Sequence, residues 1–174
     1  NSLISLSAKG SSKKGEILVS GNDFYSFPRL NSDGTKLAWI SWNFPNMPFD
    51  GAELWVGDLD EAGLIQNKTK IAGGLDESVT QPKWSQSDEL FFLSDRSGWW
   101  NLFRWTQKDG VRAVCPKSLD FCKPDWYLGL SSYAVASGDK IVCTYSDKGI
   151  WRLTILELQS SMLTPVDTPF TDFE

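Results

Sequence analysis

The side chains best suited to chemistry are two acids and one arginine in loop-like segments. Asp76 and Glu77 are adjacent within the glycine-rich residues 73–79, and neighbouring carboxylates can bind an ammonium group through charge-assisted hydrogen bonds. Arg96 follows Asp95 in a second polar segment and can bind a carboxylate or a carbonyl oxygen. Each has a purely structural alternative: the acids are solvated or cap backbone amides, and Arg96 pairs with Asp95 or a neighbouring Asp.

The composition excludes several kinds of site. The chain has 174 residues and no histidine, so a Ser-His-Asp or Cys-His site cannot be completed within it, and a histidine-based zinc site is excluded. Its 17 basic and 22 acidic side chains give a net charge of −5, unlike the basic surface of nucleic-acid-binding proteins. No apolar run approaches the ~20 residues that span a bilayer. We therefore expect no metal, no cofactor, no nucleic-acid partner and no membrane partner.

Cysteine usage gives an expectation about the compartment. Cys115, Cys122 and Cys143 are odd in number and show no C-x-x-C spacing. This pattern favours buried or incidental reduced thiols, so we expect a cytoplasmic protein.

A repeat of turn and strand signals organises the chain. Pro28 and Pro82 are 54 positions apart, and each is followed by a polar turn and a short apolar run. A more degenerate third copy has its turn at Ser137-Gly138-Asp139. Asp and Gly favour tight turns, and the apolar runs are long enough for strands but too short for helices. The predicted strands are 36–42, 53–59 and 69–72, then 89–95, 101–105 and 111–114, then 140–147 and 150–156.

Four antiparallel strands per unit, repeated along the chain, are the pattern of a β-propeller blade. We therefore predict an all-β fold, an incomplete β-propeller of about three and a half WD40-like four-stranded blades. A β-sandwich of short strands is the alternative. The chain starts without Met, and with the blade count this leads us to expect a fragment of a longer protein. The predicted parts are the end of a preceding blade at 1–25, blades at 26–79, 80–122 and 123–168, and the start of the next at 169–174.

Two longer stretches resemble a known family. Residues 27–56 and the segment Leu-Ser-Asp-Arg-Ser-Gly-Trp-Trp-Asn-Leu at 93–102 resemble the propeller domain of prolyl oligopeptidase-family serine peptidases, in the bacterial dipeptidyl aminopeptidase and acylaminoacyl-peptidase branch. The resemblance implies an amino-terminal propeller that caps an α/β-hydrolase domain carrying a Gly-x-Ser-x-Gly nucleophile elbow, an Asp and a His. This chain has neither the elbow nor a histidine, so no catalytic residue can be carried over.

Blade geometry predicts which loops share a face. Because strands alternate in direction, the loop between the second and third strands of a blade lies at the same end as the connections between blades. We therefore expect residues 42–51, 73–79 and 95–101 to form one face. The apolar side chains of the first loop are either exposed there or tucked against their own blade, and one of Trp99 and Trp100 should enter the core. The candidate gating and partner-contact residues are Trp42, Asn46, Met47, Phe49, Asp50, Asp76, Glu77, Arg96, Trp99 and Trp100.

The resemblance implies a non-catalytic propeller portion that gates access to, and helps position peptides at, an active site absent from this chain. The expected partners are the α/β-hydrolase domain of the same polypeptide and a peptide substrate, whose α-ammonium Asp76 and Glu77 would bind. The alternative is a stand-alone propeller scaffold that binds a protein or ligand without doing chemistry. In both cases the chain alone should lack peptidase activity, and the open ends of an incomplete propeller predict self-association.

Overall fold

The computed structural model describes residues 1–7, 15–127, 129–136 and 139–173. Within these ranges the chain forms 14 strands and no helix, which confirms the all-β class. No helix in the described ranges is long and apolar enough to cross a membrane. The predicted third turn at Ser137 and Gly138 lies outside the described residues.

The strands form one two-stranded and three four-stranded antiparallel sheets, each following the order of the chain. The two-stranded sheet contains β1 (Ser2–Ser5) and β2 (Glu16–Ser20). The first blade contains β3 (Phe24–Leu30), β4 (Lys36–Trp42), β5 (Glu53–Leu59) and β6 (Ile65–Gly73). The second contains β7 (Val79–Trp84), β8 (Leu90–Ser94), β9 (Asn101–Thr106) and β10 (Gly110–Ala113). The third contains β11 (Tyr133–Ala136), β12 (Lys140–Asp147), β13 (Ile150–Glu157) and β14 (Met162–Pro165).

The sequence repeat recurs in the backbone. Phe27 and Gln81, which are 54 positions apart, both have positive φ (50° and 54°), and each lies where the pairing of the first two strands of its blade shifts register. The following turns also match, since Gly34 has φ 74° and Asp88 has φ 61°. The repeat is therefore one of backbone conformation as well as residue type.

The core lies between the sheets, so most central strands are buried on both faces. Alternate residues of β8 point to opposite neighbours: Phe92 belongs to the cluster shared with the first blade, whereas Phe91 belongs to the cluster shared with the third. A smaller cluster around Trp39 joins the first blade to β1 and β2. Burial on both faces explains why these runs are continuously apolar instead of alternating.

The three cysteines are free and buried. Burial raises the pKa of Cys143 to about 12, with a further contribution from Cys115. Burial also raises the pKa of Cys115 and of Cys122, so the three thiols are protonated core side chains.

Candidate functional site: the loop face

Three segments predicted to share a face do so, and we call this surface the loop face: residues 42–51, 73–79 and 95–101. The amide of Ala52, next to the first loop, donates to the Glu77 carbonyl at 3.1 Å. The side-chain amide of Asn46 donates to the Leu75 carbonyl at 2.9 Å, and the Ser78 hydroxyl donates to the Pro48 carbonyl. The long loop of the first blade is thus fixed against the connection that leads to the second blade.

The loop at 42–51 is also held by its own turns. The amide of Asp50 donates to the Met47 carbonyl at 2.9 Å, and a carboxylate oxygen of Asp50 accepts from the Met47 amide at 2.9 Å. Gly51 packs so closely that a Cβ there would lie 2.3 Å from the Leu75 carbonyl oxygen. The carboxylate of Asp50 therefore caps its own loop.

An ion pair links the second blade's loop to the same connection. The Arg96 guanidinium donates to one oxygen of Glu77 from Nη2 at 2.7 Å and from Nε at 2.9 Å. The Ser94 hydroxyl donates to the same oxygen at 2.7 Å. Asp95 does not pair with Arg96 in this arrangement: it accepts from the Ser78 amide at 2.8 Å, and its burial raises its pKa. Glu77 is therefore a structural carboxylate, while Asp76 is exposed to solvent.

We expect Arg96→Met to lower the free energy of unfolding by about 1–2 kcal/mol. The substitution leaves a half-buried Glu77 carboxylate without its cationic partner and removes a guanidinium that lies 5.0 Å from the Phe103 ring centroid. The matched control is Arg112→Met, whose pair with Asp109 is more exposed, with 62% of the arginine side chain accessible, and should change stability by less than about 0.5 kcal/mol. Urea denaturation of both variants measures the difference, and equal effects would contradict it.

The aromatic and apolar candidates divide between surface and core. Phe44 is 79% exposed and Met47 48%, whereas Phe49 is half-buried and packs on the Trp126 ring at 4.6 Å. Trp42 stacks on Phe24 with the ring centroids 5.3 Å apart. Trp99 is exposed and Trp100 packs against the cluster between the second and third blades, which confirms that one of this pair enters the core.

The connection between β10 and β11 was not predicted from the sequence to belong to this side of the molecule. This segment contributes the exposed rings of Trp126 and Tyr127, and Phe49 joins Trp126 to the loop face. Asp120 in the same segment accepts from the Trp100 amide at 3.0 Å. The connection is long and its sequence has no strand pattern. This length could have marked it as a candidate functional segment, because long irregular connections on rigid scaffolds often carry function.

Two grooves lie along this side of the molecule. One has a volume of about 340 Å³ and lies between the first loop and residues 125–127. The other, of about 430 Å³, is lined by Trp99, Trp100, Asp120 and Trp151 among others. In the part of the chain that the structure describes, no three His, Cys, Asp or Glu side chains are placed to hold a metal ion.

Comparison with solved structures gives clear similarities to peptidases. The chain is similar to a puromycin-hydrolysing peptidase of Mycobacterium tuberculosis, with 30% identity, a TM-score of 0.85, and coverage of 92% of this chain but 24% of that one. A puromycin hydrolase matches at 30% identity and TM-score 0.84, over 91% of this chain and 24% of that one. Prolyl oligopeptidase B from Galerina marginata has the same fold, with 12% identity and TM-score 0.74 over 97% of this chain and 23% of that one.

The sequence matches no protein-family model and no curated protein. The similarity to peptidases therefore rests on the comparison with solved structures. Because the chain spans 24% of the length of the first two peptidases, the similarity covers a part of each that contains several blades.

Proposed function

We propose that this chain is a propeller segment of a prolyl oligopeptidase-family peptidase and that its loop face gates access to an α/β-hydrolase active site carried elsewhere in the same polypeptide. The segment also helps to position peptides there. Its mechanism is steric exclusion and orientation, because the chain contains no histidine with which to complete a catalytic triad.

One observation carries the proposal: apolar side chains are presented outward on a surface whose backbone is fixed. Phe44 and Leu75 are 79% and 81% exposed, yet the segments that bear them are joined by the Asn46–Leu75 hydrogen bond. The Glu77–Arg96 pair ties residues 73–79 to the loop at 95–101 in turn. Exposed apolar groups on rigid loops are typical of contact surfaces. A fixed surface also suits a gate that must reject bulky substrates.

We also propose that the parent protein belongs to the dipeptidyl aminopeptidase and acylaminoacyl-peptidase branch of this peptidase family. This assignment is supported by the sequence stretches at 27–56 and 93–102. On the loop face, the exposed Asp76 is the carboxylate available to a substrate ammonium, because Glu77 is already held by Arg96 and Ser94. The stand-alone scaffold is the second candidate, and the next experiment separates the two.

We expect Leu75→Asp to change kcat/KM for peptide hydrolysis at least ~5-fold in the polypeptide that contains the catalytic domain. A charge in an apolar contact surface disfavours that contact. The matched control is Leu64→Asp, since Leu64 is also exposed but lies in the β5–β6 turn at the opposite end of the blade. Both variants should keep the wild-type unfolding midpoint. Equal kinetics for the two variants would favour the scaffold.

A further inference from the structure

Two basic side chains occupy equivalent positions in the first two blades. Arg29 and Lys83 are 54 positions apart. Each lies near the end of the first strand of its blade, where Arg29 is opposite Ala38 and Lys83 is opposite Phe91. The segments of the loop face join the other ends of these strands. Both cations therefore lie at the end of the blades that is remote from the loop face.

The first strands of the three blades, β3, β7 and β11, form what we call the inner edge. β7 contacts both β3 and β11. The indole N–H of Trp84 donates to the Arg29 carbonyl at 3.0 Å, which joins β7 to β3. The Lys83 ammonium donates to the Tyr133 carbonyl and to the Ser131 hydroxyl at 2.6 Å, which joins β7 to the third blade. Because propeller blades surround a central channel, the two cations lie at one mouth of that channel.

Neither cation has an acidic partner among the residues that the structure describes. Arg29 is exposed. Its Nη1 donates to the Pro28 carbonyl at 3.0 Å, and its guanidinium lies 5.7 Å from the Phe27 ring centroid. Lys83 is half-buried, and its Nζ lies 4.6 Å from the Tyr133 ring centroid. Both positive charges are thus in contact with neutral groups only.

The carboxylates of the adjoining β7–β8 turn are held by other groups. Asp88 accepts from the side-chain amide of Asn31 at 3.0 Å. Glu89 pairs with Arg104 at 2.9 Å. Although the chain has a net charge of −5, its acidic side chains therefore leave this pair of cations without a counter-ion in the part of the molecule that the structure describes.

The two positive charges act on each other. Burial, with a further contribution from the charge of Arg29, lowers the pKa of Lys83 to about 8, so the ammonium is still mostly protonated at pH 7. An anion would relieve this repulsion and accept charge-assisted hydrogen bonds from both side chains. The pair is within reach of solvent, since Arg29 is exposed and the bond from Lys83 to Ser131 lies at the surface.

We propose that Arg29 and Lys83 form a binding site for an oxyanion, a carboxylate or a phosphate, at the end of the inner edge that is remote from the loop face. A carboxylate would come from the carboxy terminus of a peptide, and a phosphate would be the free anion. Both present negatively charged oxygens to the same two cations. The site consists of residues of this chain alone, so it does not depend on the proposed gating role.

The experiment is an NMR titration of the isotope-labelled 174-residue chain. The signal to follow is the indole N–H of Trp84, which donates to the backbone carbonyl of Arg29, and a Trp84→Phe variant identifies it. The probes are inorganic phosphate, N-acetyl-alanylalanine with its free carboxylate, and the neutral carboxamide of the same dipeptide. At pH 7 and low ionic strength we expect one or both anions to bind at least ~10-fold more tightly than the carboxamide. The anion that binds more tightly identifies the source.

Arg29→Gln should weaken anion binding at least ~10-fold, because it removes one of the two charges. The exposed position of Arg29 leaves the fold intact, and the backbone carbonyl that Trp84 contacts remains. Lys83→Gln should weaken binding to a similar extent, and Arg29→Gln keeps the test valid if Lys83→Gln unfolds. The matched control is Lys108→Gln, which removes an exposed cation from the β9–β10 turn at the same end of the blades and should leave binding unchanged.

The proposal is overturned if the neutral carboxamide shifts the Trp84 signal at the same concentrations as the anions, or if neither anion shifts it. It is also overturned if Lys108→Gln weakens binding as much as Arg29→Gln does, because binding would then follow net charge and not this pair. The result is independent of the Leu75→Asp experiment, since Leu75 lies on the loop face at the other end of the blades.

Discussion

Gly73→Ala should lower the free energy of unfolding by more than about 2 kcal/mol. Gly73 has φ 88°, and a Cβ there would lie 1.9 Å from the Ala52 carbonyl oxygen, which is closer than any packing adjustment of a side chain can relieve. That oxygen also accepts from the Gly74 amide at 3.1 Å, so moving it would break the contact between the first loop and residues 73–79. Left-handed backbone strain and the steric clash act together.

The neighbouring glycine provides the control for this prediction. A Cβ at Gly74 would meet nothing within 4 Å, so Gly74→Ala should change the free energy of unfolding by less than about 0.5 kcal/mol. Urea denaturation measured side by side compares the two variants. If Gly73→Ala were as stable as Gly74→Ala, the connection would not approach Ala52 as described.

Much of the blade pattern could be predicted from the sequence, because the repeat encodes strand and turn chemistry locally. The strand at Glu53–Leu59 was predicted at its observed bounds. The strand β6 starts at Ile65, four residues before its predicted start. Residues 66–70 are polar and exposed, and they form a strand because they pair with β5 at the edge of the blade. A strand formed by such pairing has no hydrophobic periodicity in its sequence from which it could be predicted.

The candidate site was predictable as a set of loops but not as a set of contacts. Alternating strand direction is enough to bring 42–51, 73–79 and 95–101 to one face. The carboxylate that pairs with Arg96 depends on side-chain positions across two blades. The sequence offered Asp95 or a neighbouring Asp as the structural partner, whereas the structure shows Glu77. Asp125 was missed for a similar reason. Its side chain accepts a hydrogen bond from Thr80, 45 positions away, and no local pattern marks it.

Two adjacent phenylalanines in β8 distinguish a propeller from a sandwich. Phe91 and Phe92 are both 0% exposed, although neighbouring residues of a strand point to opposite faces. Blades stacked on both sides bury both rings, whereas a strand of a two-layer sandwich has one solvent-facing side. We expect Phe91→Ala and Phe92→Ala each to lower the free energy of unfolding by about 3–5 kcal/mol.

The control for this pair is Phe170→Ala, since that side chain is 68% exposed and its removal should cost less than about 0.5 kcal/mol. Hydrogen exchange shows which neighbouring blade each substitution loosens. Phe92→Ala should speed exchange in β4 and β5, whose residues share its cluster, and Phe91→Ala should speed exchange in β12 and β13. A large effect for one phenylalanine and a surface-like effect for the other would mean that β8 has blades on one side only.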